Sequence, residues 1–196
     1  MSIPRVTQIL SRFNDYSQIP SYILDKAAER GNIVHSLCEG IARGEWITNS
    51  MIDPKYQGYI ESFRQWQEAQ VKEFHILEER LFDEAMGFSG QVDLVVSGTD
   101  NKLYLCDLKT TAKSHKTHII QLAAYQHLLA LRGIEVEASM IIYLSKKGDF
   151  PEVHRFEDLE YEWEVFMSAF ECFSYFNKEV DNGDKEHTST NTRCDE

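Results

Sequence analysis

Two short apolar segments of this chain each carry one aspartate. The first is Gly90-Gln91-Val92-Asp93-Leu94-Val95-Val96, the second Leu103-Tyr104-Leu105-Cys106-Asp107-Leu108-Lys109-Thr110. Both have the β-branched and aromatic composition of strands. A buried strand does not hold an unpaired carboxylate, because desolvating its charge is costly. Lys109 shares a strand side with Asp107, since side chains alternate with a period of two. One explanation covers all three residues: a hard divalent cation held by oxygen ligands. In the competing reading the aspartates are turn or edge residues and Lys109 a strand lysine, all facing solvent. The apolar runs around both aspartates argue against it.

The rest of the pattern places these segments in an α/β chain. Val6 to Leu10 reads as a short helix. Ser21 is expected to cap a helix through Ile23, Leu24, Ala27 and Ala28, with Gly31 interrupting or kinking it before the apolar face resumes at Val34. Pro54 starts another helix, with Tyr56, Tyr59, Ile60, Phe63 and Trp66 at helical spacing. The period then changes to alternation over 73–82, 87–97 and 102–110, with a turn cluster at Gly98-Thr99-Asp100-Asn101. A helix over 119–132 ends at Gly133. A fully apolar strand at 138–144 is expected to be central and, after a strand–helix crossover, to pair in parallel. An edge strand at 153–156 and a long helix over 159–180 follow. The polar stretch 181–196 reads as a disordered tail.

The length of 196 residues fits one domain. Its expected division is a helical segment over 1–72, a sheet core over 73–156 and a closing helix over 157–180. No apolar run is long enough to span a bilayer, and the N-terminus does not read as a signal peptide. Cys38, Cys106, Cys172 and Cys194 lack the spacing of a disulfide framework or a zinc site. The expected compartment is a reducing cytoplasm, or a host's cytoplasm if the chain is viral. The net charge of -12 speaks against a broad nucleic-acid grip. The acid is uneven, however. From Lys109 to His118 there are Lys109, Lys113, Lys116, His115 and His118 and no acidic residue, a basic edge suited to phosphate.

Gly-x-x-Asp, then Asp-x-Lys-Thr, then Gln121-x-x-x-Tyr125 on a helix resembles the PD-(D/E)xK nuclease superfamily. With Gly31-x-x-x-His35 in the N-terminal half, the pattern is most similar to RecB-type exonucleases, including small phage-type members and the mitochondrial genome maintenance exonuclease. The resemblance runs from about Val6 to Tyr143. It implies a restriction-endonuclease-like α/β core: a central mixed β-sheet flanked by helices, with an N-terminal helical segment. It also implies metal-dependent hydrolysis of DNA phosphodiesters from a free, single-stranded end. Such an enzyme would serve DNA replication, recombination or repair and work beside other proteins of those processes.

On that resemblance Asp93 and Asp107 bind Mg²⁺ or Mn²⁺, joined by the Leu108 carbonyl and by His35. Lys109 is the catalytic lysine, either stabilising charge on the phosphate or helping to deprotonate a water if its pKa is lowered. Glu78 is expected to be the additional acid. Glu79, pointing to the opposite face, is its competitor. Gln121 and Tyr125 face the sheet and contact substrate or the lysine. Thr110, Thr111, Lys113 and Lys116 are candidate phosphate contacts. Glu39, one turn after His35, is placed to orient it. Some RecB-type nucleases hold an iron–sulfur cluster through four cysteines, but here the cysteines are wrongly placed, so none is expected. The rival functions are a flap- or branch-cutting endonuclease, a catalytically silent DNA-binding or inhibitor protein, and an acidic DNA mimic. Intact Asp93, Asp107 and Lys109 argue against the last two.

Overall fold

The computed structural model describes residues 3–111 and 114–177. Lys113, Cys194, the end of the expected long helix and the stretch 181–196 lie outside the described residues. Five strands form one sheet in chain order: β1 (Val71–Asp83), β2 (Phe88–Gly98), β3 (Leu103–Lys109), β4 (Ala138–Tyr143) and β5 (Glu152–Phe156). The first three pair antiparallel, β3 and β4 pair parallel, and β5 closes the edge antiparallel to β4. The sheet is therefore mixed, in the restriction-endonuclease-like arrangement. The middle strand is β3 rather than the apolar β4, which lies one in from the edge. A strand reads as fully apolar when both its faces are covered, and that happens anywhere inside a sheet packed on both sides.

Helices cover both faces. α1 (Val6–Leu10), α4 (Lys116–Ala130) and α5 (Glu160–Asn177) bury one face with Val92, Leu105 and Ile141. α2 (Ser21–Ala42) and α3 (Pro54–Gln70) bury the other with Leu94, Cys106, Leu108 and Ile142. Tyr56, Tyr59 and Trp66 are core residues here, whereas Trp46 is exposed. Among the described residues no helix is long and apolar enough to cross a membrane.

Three local expectations change. Gly31 does not break α2, which runs unbroken for 22 residues. One interior glycine costs only about 1 kcal/mol relative to alanine, too little to interrupt so long a helix. Ser21 is the first helical residue rather than the cap; Pro20 holds the cap position without a side-chain bond. α4 begins at Lys116 because the His115 imidazole accepts a hydrogen bond from the Thr117 backbone N–H. That cap starts the helix three residues before the periodic pattern does. Asp53 caps α3 through the Lys55 N–H, with Pro54 just inside as expected.

Gly58 is where α3 meets the β4–β5 connection. A Cβ there would lie 1.9 Å from the Lys146 carbonyl oxygen. Helix propensity alone would make Gly58→Ala stabilising by about 1 kcal/mol. The contact is with backbone and cannot give way cheaply, so the substitution is expected to destabilise by about 1–3 kcal/mol. Urea unfolding of the two proteins decides between the signs.

Candidate active site

Sheet register brings three acids into line. The pairing of Leu94 with Cys106 sets Asp93 level with Asp107 on the next strand. On the other side, Leu77↔Leu94 and Glu79↔Val92 bracket Glu78 and Asp93. Glu78, Asp93 and Asp107 thus occupy adjacent positions on β1, β2 and β3. Asp93 is 6% exposed and Asp107 1%, so neither is a solvent-facing turn residue. All three line a cavity of about 520 Å³ between α2, the start of α1 and the sheet.

Each charge has compensation. The Leu108 N–H donates to Asp93 Oδ2 at 2.8 Å. Lys109 Nζ lies 2.6 Å from Asp107 Oδ2, and Gln121 Nε2 donates to Asp107 Oδ1 at 3.1 Å. The Gln121 amide also donates to the Tyr125 hydroxyl at 2.7 Å, and its oxygen accepts from Lys109. The helical i, i+4 spacing of Gln121 and Tyr125 places both on the sheet side of α4. Gly90 makes that approach possible: a Cβ there would lie 2.6 Å from the Tyr125 ring. The glycine of Gly-x-x-Asp is a packing requirement for α4.

His35 reaches in from α2. Its Nδ1 is 3.0 Å from Glu78 Oε1 and 3.6 Å from Asp93 Oδ2, and its Nε2 is 2.9 Å from the Leu108 carbonyl oxygen. Glu78 sits at φ +50°, a left-handed conformation inside a strand. Such a residue carries about 1–3 kcal/mol of strain and persists only when its surroundings hold it. His35 and Gln91, whose amide donates to Glu78 Oε2 at 2.7 Å, hold it here. Gln91 was not singled out from the sequence. Its signal was available, because it stands two residues before Asp93 and so on the same strand side.

The proton affinities follow from this crowding. Burial works against a charged imidazole, but Asp93 and Glu78 outweigh it and push His35 up to about 9. Burial, reinforced by Asp107 and Glu78, drives Asp93 up to about 7 against the pull of His35 and Lys109. Glu78 is held low despite burial by its bond to His35. Burial disfavours the Lys109 ammonium, yet Asp107 and Asp93 raise its pKa. Lys109 is therefore a fixed cation in this state, not a neutral base. Burial and Lys109 depress His118 to about 4, so it is neutral.

The donor set fits a divalent cation. Ligand atoms of His35, Glu78 and Asp93 lie within 4.8 Å of one another. One cation with bonds of about 2.0–2.6 Å reaches all of them. The Leu108 carbonyl is adjacent, while Asp107 lies beyond this trio and faces Lys109 and Gln121. Glu79 turns away to pair with Arg132. Glu39 lines the cavity, but its carboxylate bonds Arg43. Thr110 is buried and accepts from Arg30 Nε at 3.3 Å, and Thr111 is exposed. Lys116 is exposed beside an apolar groove with Leu10 and Ile120, away from the cavity. Arg5, which the sequence pattern did not mark, enters the cavity because the Pro4–Ser89 backbone bond docks the N-terminus on β2.

A model of the PD-(D/E)XK nuclease superfamily matches residues 10–195. No curated protein matches. Among solved structures, the chain is similar to SSO0001 at 15% identity and a TM-score of 0.44, over 89% of this chain and 76% of that one. It is also similar to LHK-Exo, solved in complex with dAMP, at 16% identity and a TM-score of 0.38, over 88% of this chain and 90% of that one. Likenesses this distant carry no argument about activity.

Without divalent cations, the His35 imidazole is expected to titrate near 9 in the folded protein, against 6.5 for an ordinary histidine. A raised folded-state value means that its contribution to stability is fully present below about pH 6.5 and is lost as pH rises through 9. Imidazole NMR titration measures this directly. A midpoint near the ordinary value would contradict the described contacts.

Proposed function

The chain belongs to the PD-(D/E)XK nuclease superfamily, and from that premise we propose that it is a Mg²⁺- or Mn²⁺-dependent exonuclease acting on single-stranded DNA ends. The observation that carries the reading is the row Glu78–Asp93–Asp107 across three strands, with Lys109 paired to Asp107. Its acids suit a hard cation and its lysine suits a phosphate.

In this reading Asp93, Asp107, His35 and the Leu108 carbonyl hold the cation, and Glu78 completes the site. When bound, the cation polarises the scissile phosphate and makes a water more acidic. Lys109 supplies a compact positive charge to the phosphate oxygens as negative charge grows there. Its raised pKa supports that role over proton abstraction. Gln121 fixes the lysine and Asp107 in register, and Tyr125 fixes Gln121. Imidazole among the ligands favours Mn²⁺ somewhat more than an all-oxygen set would. Gly31 lines the cavity with open space where a Cβ would stand, which suits close approach of a strand.

Substrate form is read from size and charge. A cavity of about 520 Å³ walled by α2 suits a few nucleotides of one strand rather than a duplex. The net charge of -12 disfavours a wide electrostatic grip on double helix. A strand drawn into a walled groove enters by its end, which favours exonuclease over endonuclease action.

Asp107→Ala and Lys109→Ala are each expected to abolish cleavage while the circular dichroism spectrum stays native. Near-normal turnover in either variant would remove that residue from the reaction. Glu78→Ala should weaken Mn²⁺ binding in calorimetry, and Glu79→Ala should leave it unchanged. Linear single-stranded DNA should be degraded, and a covalently closed circle of the same sequence should survive. Equal cleavage of both would make the protein an endonuclease.

A further inference from the structure

α2 separates two cavities. Ala28, Asn32 and His35 line the one just described, and Lys26 and Arg30 line a second of about 380 Å³. Positions 28, 32 and 35 share one helix face, and 26 and 30 lie well round from it. Lys55 from α3 and Lys146 from the turn after β4 complete the second cavity's basic walls. Glu29 is its one acidic lining residue, and Asp53 pairs with Lys55 at 3.2 Å. Among the described residues no carboxylate pairs with Lys26, Arg30 or Lys146. In a chain with 32 acidic and 20 basic residues, four cations around one small cavity are a local reversal of the protein's charge.

A side-chain contact ties the second cavity to the strand that carries Lys109. Arg30 Nε donates to the Thr110 hydroxyl, and Thr110 directly follows Lys109 on the chain. The bond thus anchors Arg30, a lining residue of the basic cavity, to the end of the strand that carries the reactive lysine. The bond to Thr110 leaves the terminal guanidinium nitrogens of Arg30 without a protein partner among the described residues. A planar guanidinium with free donors, ringed by ammonium groups, matches the geometry and charge of a phosphate.

We propose that this second cavity is a phosphate subsite for the DNA strand, taking an internal or terminal phosphate on the far side of α2 from the acid row. The proposal rests on the nuclease reading and deepens it. The net negative charge then keeps nucleic acid off most of the surface, while this cavity draws one strand across α2 to the cleavage site. It is also a basic surface that does not need Lys113 or Lys116.

The test uses the full chain with Lys26→Ala/Lys146→Ala, both exposed and outside the acid row, and Lys72→Ala as an exposed control of equal charge type. On linear single-stranded DNA the double variant should raise KM at least about fivefold, with kcat within twofold. Its binding should lose about 0.7 of the slope of log affinity against log salt, the amount for one phosphate contact on a single strand. Lys72→Ala should change neither. If a terminal phosphate is held, wild type will distinguish phosphorylated from unphosphorylated ends and the double variant will not. If an internal one is held, the KM effect will be the same for both. Fluorescence anisotropy with the same oligonucleotide in chelator reads binding without turnover. Loss of binding in the double variant, with a wild type that binds but does not cleave, would keep the subsite and sink the exonuclease reading. Unchanged KM and salt slope, a change no larger than in Lys72→Ala, or a wild type that binds no strand would overturn the subsite.

Discussion

Three carboxylates held side by side on adjacent strands set the terms for the rest of this molecule. Unpaired acids in a low-dielectric interior repel one another and resist ionisation. Glu78, Asp93 and Asp107 are tolerated because His35, Lys109, the Leu108 N–H, Gln91 and Gln121 each answer one of them. Those partners fix the surrounding elements. α2 must pass close enough for His35 to reach between β1 and β3. α4 must lie tightly enough on β2 for Gln121 and Tyr125 to reach Asp107, which is why Gly90 can carry no side chain. A proton on His35 answers the acids in this state, as a divalent cation does in a working nuclease of this superfamily. That replacement explains why a cluster so costly to bury can persist.

The parts of this arrangement legible in sequence were those with a short-range period. Alternation located the first three strands, and with it the shared side of Asp107 and Lys109, while a continuous apolar run located the fourth. Helical spacing paired Gln121 with Tyr125. What the sequence left open depends on register between strands or on unusual local geometry. Nothing in Ile76-Leu77-Glu78-Glu79 separates the two acids until β1 is paired with β2, when Glu78 falls level with Asp93 and Glu79 meets Arg132. The positive φ of Glu78 has no sequence signal, because glycine or asparagine would be the ordinary residue there. Arg5 reaches the cavity through a backbone bridge to Ser89, a contact 84 residues along the chain that no local pattern encodes. β4 read as central because apolar content reports burial on two faces, not position in strand order.

Charge is distributed with the same economy. Lys109, the cation inside the acid row, is buried and pinned to Asp107 and Gln121, while its neighbour Lys116 turns toward an apolar groove. The row can present one fixed positive charge to a phosphate without neutralising the acids a metal requires. An acidic exterior limits indiscriminate adhesion to nucleic acid.

Anomalous diffraction from crystals grown with Mn²⁺ would locate the cation against the acid row. One strong peak is expected among His35, Glu78, Asp93, Asp107 and the Leu108 carbonyl oxygen, with ligand distances of about 2.0–2.3 Å to the atoms that bind it. His35 would then have exchanged its contact with the Leu108 carbonyl for the metal. A peak elsewhere, or a site where these acids hold no cation at millimolar Mn²⁺ and His35 keeps its bonds to Glu78 and Leu108, would contradict the metal-site reading.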